Sequence, residues 1–360
     1  MANLEFSVPY NNDPETLNAI FELKKFGGNS IHEVYLSGPQ EYSGSGRTMP
    51  KLEMDSFLDI VDKIHKEGLR VNLIMNPTCE GSEWYTPEVV NSKMEYLRQA
   101  HEEHGVEAVT SANAIYIKEM RRRFPEIEIC ASVLADIDCV QRASIFIEYG
   151  ANVITPDVNI NRDLGLLKEI TEITGAKLKL MVNEGCLYKC PFRKFHFNYT
   201  AHKSKEVANE CGIFFENCVQ VSARDPSQAL RSGWIRPEDM TQYGEITNYF
   251  KIVGRSVQKS KVVRCIKAYM QESWEGGLLD ILNDSLHVFN REYGAYLDNK
   301  SLGEYGFFEK VSSCDKNCSR CNYCESLAKK LFKFRVFSDE EQEDEGLIRF
   351  RDFAPEEVRV

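Results

Sequence analysis

LKLMVNEGCLYKC, residues 178–190, is the stretch on which the fold of this chain turns. An apolar run from Leu178 to Val182 ends at Asn183-Glu184-Gly185 and passes directly into two cysteines, Cys186 and Cys190. A short apolar run closed by turn residues is the pattern of a buried strand. In parallel α/β folds the reactive groups collect just beyond the carboxyl ends of such strands. Working outward, runs of the same kind recur at Leu4–Val8, Glu33–Leu36, Val71–Met75, Ala108–Thr110, Ile127–Ser132, Val153–Thr155 and Phe250–Val253, which with Leu178–Val182 makes eight. Amphipathic stretches lie between them, among them Met54 to Glu67, Thr86 to His104 and Leu164 to Thr174, with apolar residues recurring at three and four. Eight strands alternating with helices predict an α/β fold of the TIM-type (β/α)8 barrel class. An open doubly wound sheet shares the pattern, although no glycine-rich dinucleotide fingerprint follows any strand.

The expected domain plan is a barrel over residues 1–297, with a Cys-rich insertion at about 183–249, and a metal-binding extension over 298–360. The insertion breaks the alternation, and long irregular segments inside compact domains are usually functional. Helical patterns run from the last strand to about residue 297, and an acidic stretch follows from Ser338 to Glu345. A formal charge of -11 disfavours a broad nucleic-acid face without excluding nucleic acid. The start, MANLEFSVPY, has no leader pattern, and no apolar run reaches membrane-spanning length, so a cytoplasmic protein without membrane contact is expected.

Twelve cysteines in such a chain predict metal rather than disulfides. Cys79, Cys130, Cys139 and Cys265 are scattered singly and are expected to be buried fillers. Cys186, Cys190, Cys211 and Cys218 all fall within the insertion. Their spacing alone leaves a metal site and unrelated thiols equally open.

In this region the chain resembles the collagenase-like peptidase family U32 and its relatives, the oxygen-independent hydroxylases of ubiquinone synthesis and of tRNA or ribosomal RNA. The resemblance rests on the strand-to-cysteine junction at Cys186, the later cysteines, the segment Ile235-Arg236-Pro237-Glu238-Asp239-Met240 and the closing run Phe250-Lys251-Ile252-Val253-Gly254-Arg255. It implies a barrel carrying a 4Fe-4S cluster at its rim, with Cys186, Cys190, Cys211 and Cys218 as ligands. Cys211 is the least fixed of them, since Cys265 or a non-protein ligand could stand in its place. In the commoner family pattern a His-Gly pair precedes the first cysteine and a Ser-Gly-x-Cys run follows it. Here Asn183-Glu184-Gly185 and Tyr188-Lys189-Cys190 stand instead, which marks a divergent branch. Glu184, Arg193 and His196 are the candidate catalytic residues, and His202 and Arg224 lie in the same insertion. An acid, an imidazole and a guanidinium there could move a proton or hold a carboxylate.

Cys314, Cys318, Cys321 and Cys324 form a second group of metal-ligand spacing. Their short intervals resemble iron–sulfur ligation more than a zinc site of two separated pairs, so a second 4Fe-4S cluster, or zinc, is expected. The first three also match the C-x3-C-x2-C spacing of radical S-adenosylmethionine enzymes, but that motif belongs after the first barrel strand.

Three functions follow. The first is a cluster-dependent, oxygen-independent hydroxylase or related anaerobic redox enzyme acting on a small molecule, a peptide or an RNA base. The second is a peptidase, although neither a Ser-His-Asp order nor a His-Glu-x-x-His motif is present. The third is a non-catalytic cluster-bearing subunit. An electron donor or a partner subunit is the implied partner.

Overall fold

The computed structural model describes residues 3–47, 49–203, 212–336 and 349–352. Its main sheet has ten hydrogen-bonded segments. One is a short hairpin arm, Lys25–Phe26, and two, Lys177–Leu178 and Leu180–Met181, are halves of one strand. The ring therefore has eight strands: β1 (Glu5–Pro9), β2 (Asn29–Ser37), β3 (Arg70–Ile74), β4 (Ala108–Ser111), β5 (Glu128–Ala131), β6 (Val153–Ile154), β7 (the two halves at 177–181) and β8 (Tyr249–Lys251). All eight expected strands are present. The first half of β7 pairs with β6 and the second with β8, while β8 pairs with β1, every pair parallel. The ring is closed. At the break, Lys179 N still donates to Ile154 O at 2.9 Å and Val182 N to Lys251 O at 3.0 Å.

The strands alternate between two environments, as period-2 geometry requires. Outward residues such as Phe6, Val34, Leu73, Val109, Ile154, Leu180 and Phe250 join one core with the surrounding helices. Helix Met54–Lys66 shows how: Phe57, Ile60, Val61 and Ile64 fall on one buried stripe at helical spacing. Many inward residues are polar, beside a small apolar cluster of Cys130, Val153 and Tyr249. Glu33 Oε1 accepts from Ser7 Oγ at 2.5 Å, Asn72 Nδ2 at 3.0 Å and Lys179 Nζ at 2.6 Å, and Thr110 Oγ1 donates to Asn72 Oδ1 at 2.7 Å. Five strands are thus tied through one belt. Burial alone would raise the Glu33 carboxyl, but the charge and hydrogen bond of Lys179, with Ser7 and Asn72, hold it down to about 2.

The insertion folds as helices Arg193–Lys203, Gly212–Arg224 and Ser227–Arg231. Beyond the barrel, Ala295–Leu297 pairs antiparallel with Phe332–Val336, which pairs with Arg349–Asp352. The helical pattern expected up to residue 297 therefore gives way to a strand at Ala295, after Gly294 ends the preceding helix in the left-handed region (φ 62°). The Arg236-Pro237-Glu238-Asp239 run fastens this extension to the barrel. Arg236 pairs with Asp239 at 2.7 Å and donates to Asn299 O at 3.1 Å, and Glu238 accepts from Asn299 Nδ2 at 2.9 Å. Trp234 stacks on Phe307 at 5.3 Å beneath the Arg162 guanidinium. The acidic stretch 338–345 lies outside the described residues. Among the described residues, no helix is long and apolar enough to cross a membrane.

Candidate metal and substrate site at the barrel mouth

In the run that ends β7, each residue has its own task. Asn183 is spent on the backbone: its amide donates to Val253 O at 3.1 Å and accepts from Val253 N at 2.7 Å, locking the end of β7 to the segment after β8. Gly185 permits a close approach. A Cβ there would stand 2.2 Å from Asn283 O and 2.8 Å from Leu286 Cβ, so only glycine lets this loop lie against the start of helix Asp284–Tyr293. That contact brings Asp284 to Cys186. Single donor atoms of Glu184, Cys186 and Asp284 lie within 4.8 Å of one another.

Two further cysteines reach the same place from different elements. The Cys190 and Cys218 thiols are neighbours, and their interaction, against the opposing effect of burial, lowers Cys190 to about 7. Cys218, buried on helix Gly212–Arg224, is pushed up by the same interaction and by burial, with the charges of Cys190, Cys186 and Asp284 adding to the effect. Cys186 is pushed up by burial and by Glu184 and Asp284. Cys211 lies outside the described residues. Cys265 is committed elsewhere, buried in the core with its thiol on Ile281 O at 3.2 Å.

The candidate catalytic residues surround this group. Arg193 pairs with Glu184 in a buried contact and lies 4.0 Å from Asp136. His196 is stacked between Phe197 and Phe214 at 5.4 and 5.2 Å, and burial followed by the Arg47 charge lowers it to about 4. The ring is neutral at pH 7. His202 and Arg224 are exposed, and His202 Nε2 stands 3.2 Å from Cys79 Sγ. Arg47 and Asp284, which pair at 2.6 Å, were not legible as site residues: one lies in a loop and the other opens helix Asp284–Tyr293, they are far apart in sequence, and no motif links them. Several buried polar atoms here have no hydrogen-bond partner among the described residues, namely Arg193 Nε and Nη2, Asp284 Oδ2 and Asn283 Oδ1. The soft thiols are a donor set suited to a thiolate-bound metal centre, and the free guanidinium N–H groups beside them suit its anionic sulfur.

Glu184 and Arg47 face an open cavity at the carboxyl ends of the strands, which Asn76, Lys251 and Arg255 also line.

Cys314, Cys318, Cys321 and Cys324 line one small pocket with Arg231. Lys316, at φ 59°, turns the chain so that its N–H donates to Cys314 Sγ at 3.3 Å. This pocket lies beside the rim loop: after burial, the charges of Cys318 and Cys314 raise the Tyr188 phenol, which sits between Cys186 and Cys190. Of the four scattered cysteines, Cys130 and Cys265 are buried as expected. Cys79 and Cys139 are only half-buried, because one follows a strand end and the other caps helix Val140–Glu148.

The model of peptidase family U32 matches residues 19–277. The chain belongs to peptidase family U32. An uncharacterized protease of Methanocaldococcus jannaschii is 32% identical over 339 residues, covering 92% of this chain and 99% of that one. The solved structure of a U32 peptidase, Mk0906, aligns over 58% of this chain and 80% of its own at 20% identity, with a TM-score of 0.49. The U32 match ends before Cys314, so the second cysteine group belongs to the part of the chain beyond the family region.

Proposed function

We propose that this U32 protein is an iron–sulfur enzyme whose rim centre, a 4Fe-4S cluster, is held by Cys186, Cys190 and Cys218 with Cys211 as the fourth ligand. Its activity is an oxygen-independent hydroxylation or a related redox modification. The observation that carries this reading is the meeting of Cys186, Cys190 and Cys218 at the barrel mouth, with the Cys190 and Cys218 thiols in contact. A cluster bound there supplies electron transfer next to the cavity. The chain's own residues supply the rest. Glu184, buried and held by Arg193, is placed to take or give a proton at its carboxylate oxygen. Arg47, oriented by Asp284, offers a guanidinium to the cavity. Phe197 and Leu134 form an apolar part of its wall. The C-terminal cysteines hold a second cluster, or zinc, that fixes a loop with little core of its own.

Electron paramagnetic resonance of the reduced protein, prepared without air, tests this. Cys218→Ala should abolish one cluster signal and leave the C-terminal one. Identical spectra from the variant and the parent would overturn the rim assignment.

Hydrolysis is a second reading, and one contact favours it: His202 Nε2 at 3.2 Å from Cys79 Sγ is a thiol–imidazole pair at a strand end. Among the described residues no histidine is hydrogen-bonded to a serine. Peptidase activity that survives iron removal and is lost in Cys79→Ala would establish this reading over the first.

A further inference from the structure

Two cations face the barrel-mouth cavity without an acidic partner among the described residues. Lys251 and Arg255 are 7% and 8% exposed, and both line the cavity. Arg255 is hydrogen-bonded to hydroxyls alone, Ser37 Oγ and, at 3.4 Å, Ser45 Oγ. Both cations sit against one ring, Tyr35, at 4.0 and 5.8 Å from its centroid. Tyr35 cannot neutralise them, because burial drives its phenol far above the usual range and its hydroxyl is donated to Ile252 O at 2.9 Å. The other charges nearby are already paired: Glu33 with Lys179, Glu184 with Arg193, Asp284 with Arg47.

The magnitudes do not balance without a further anion. Burying an ion costs more than a single cation–π contact returns. Lys251 can escape the cost by losing its proton, and burial followed by the Lys179 charge lowers it to about 7. Arg255 has no such escape, since a guanidinium stays charged at neutral pH.

We infer that the cavity is the binding site of a small organic anion, carboxylate or phosphate, whose charged end lies between Lys251 and Arg255 and whose other end points toward Glu184. The inference goes beyond the cluster and takes from the proposed function only that the barrel mouth is the working face. Asn76 and Ser132, hydrogen-bonded to each other at 3.0 Å, add a polar wall beside the two cations.

Titration calorimetry of the full chain with succinate, inorganic phosphate and neutral succinamide tests it. Succinate or phosphate should bind, succinamide should not, and the anion that binds names the charged group. Lys251→Met and Arg255→Gln should each weaken binding about tenfold or more, as expected for loss of a charged hydrogen bond. The exposed control Lys25→Gln should leave it unchanged. Amine acetylation read by peptide mapping in the unmutated protein guards against misfolded variants: the bound anion should protect Lys251 and not Lys25. Absence of binding by both anions, or binding that neither variant weakens and that leaves Lys251 unprotected, would overturn the inference. Iron measured on the same samples separates that failure from a failure of the cluster assignment.

Discussion

Replacing Lys179 with methionine would leave Glu33 buried without its cation. Both side chains are wholly buried at 2.6 Å, and Ser7 and Asn72 supply the carboxylate's other partners. Removing one member of such a pair typically costs 3–5 kcal/mol, because the remaining charge is stranded. The lowering of Glu33 from 4.5 to about 2 in the folded protein corresponds to about 3 kcal/mol by linkage, which agrees. Against a typical total of about 5–15 kcal/mol, this is a large fraction. Urea unfolding followed by circular dichroism should show it as a lower midpoint at unchanged slope. The pH dependence supplies a sign. In the parent, Glu33 has a depressed folded value, so its contribution is complete above about pH 4.5 and is lost as pH falls toward 2. In Lys179→Met the stranded carboxyl is raised instead, so stability should fall as pH rises from about 4.5 to 7. Adding Glu33→Gln should remove that slope and recover part of the loss. A cost under about 1 kcal/mol, the level of an exposed ion pair, or a variant whose pH profile parallels the parent's, would refute the reasoning.

Gly185→Ala should displace the Cys186 loop from Asn283 and lower metal content at the rim while sparing the C-terminal site, measured by metal analysis. Lys251 is lowered to about 7, so the unfolded chain binds more protons between pH 7 and 10.5 and the Lys251 contribution to stability rises with pH there. Lys251→Met should flatten that part of the thermal-unfolding profile relative to the parent. Cys321→Ala should remove the C-terminal metal and leave the barrel intact, seen as unchanged far-ultraviolet dichroism over most of the signal.

The eight strands were legible because their outward faces are continuous with the core, and apolar runs of β-branched residues announce them. The inward faces were not. Ser7, Glu33, Asn72, Thr110 and Lys179 build the barrel interior from residues that hydropathy reads as surface. For the same reason β2 runs four residues further back than its apolar part, from Asn29 rather than Glu33. The strand at Ala295 was hidden because its partner lies beyond the whole C-terminal cysteine loop. In the site, residues on one loop, Glu184 and Cys186, could be found from their neighbours. Arg47, Asp284 and Arg255 come together only through the closed barrel, and no local spacing records that.

Iron and acid-labile sulfide, counted per chain on protein purified without air, are the decisive readout of the rim cluster. Iron and sulfide should be found in about equal numbers. About four of each should be lost in Cys186→Ala and in Cys218→Ala, and retained at the rim in Cys314→Ala. Zinc without sulfide, or iron that is indifferent to both rim substitutions, would contradict the rim assignment.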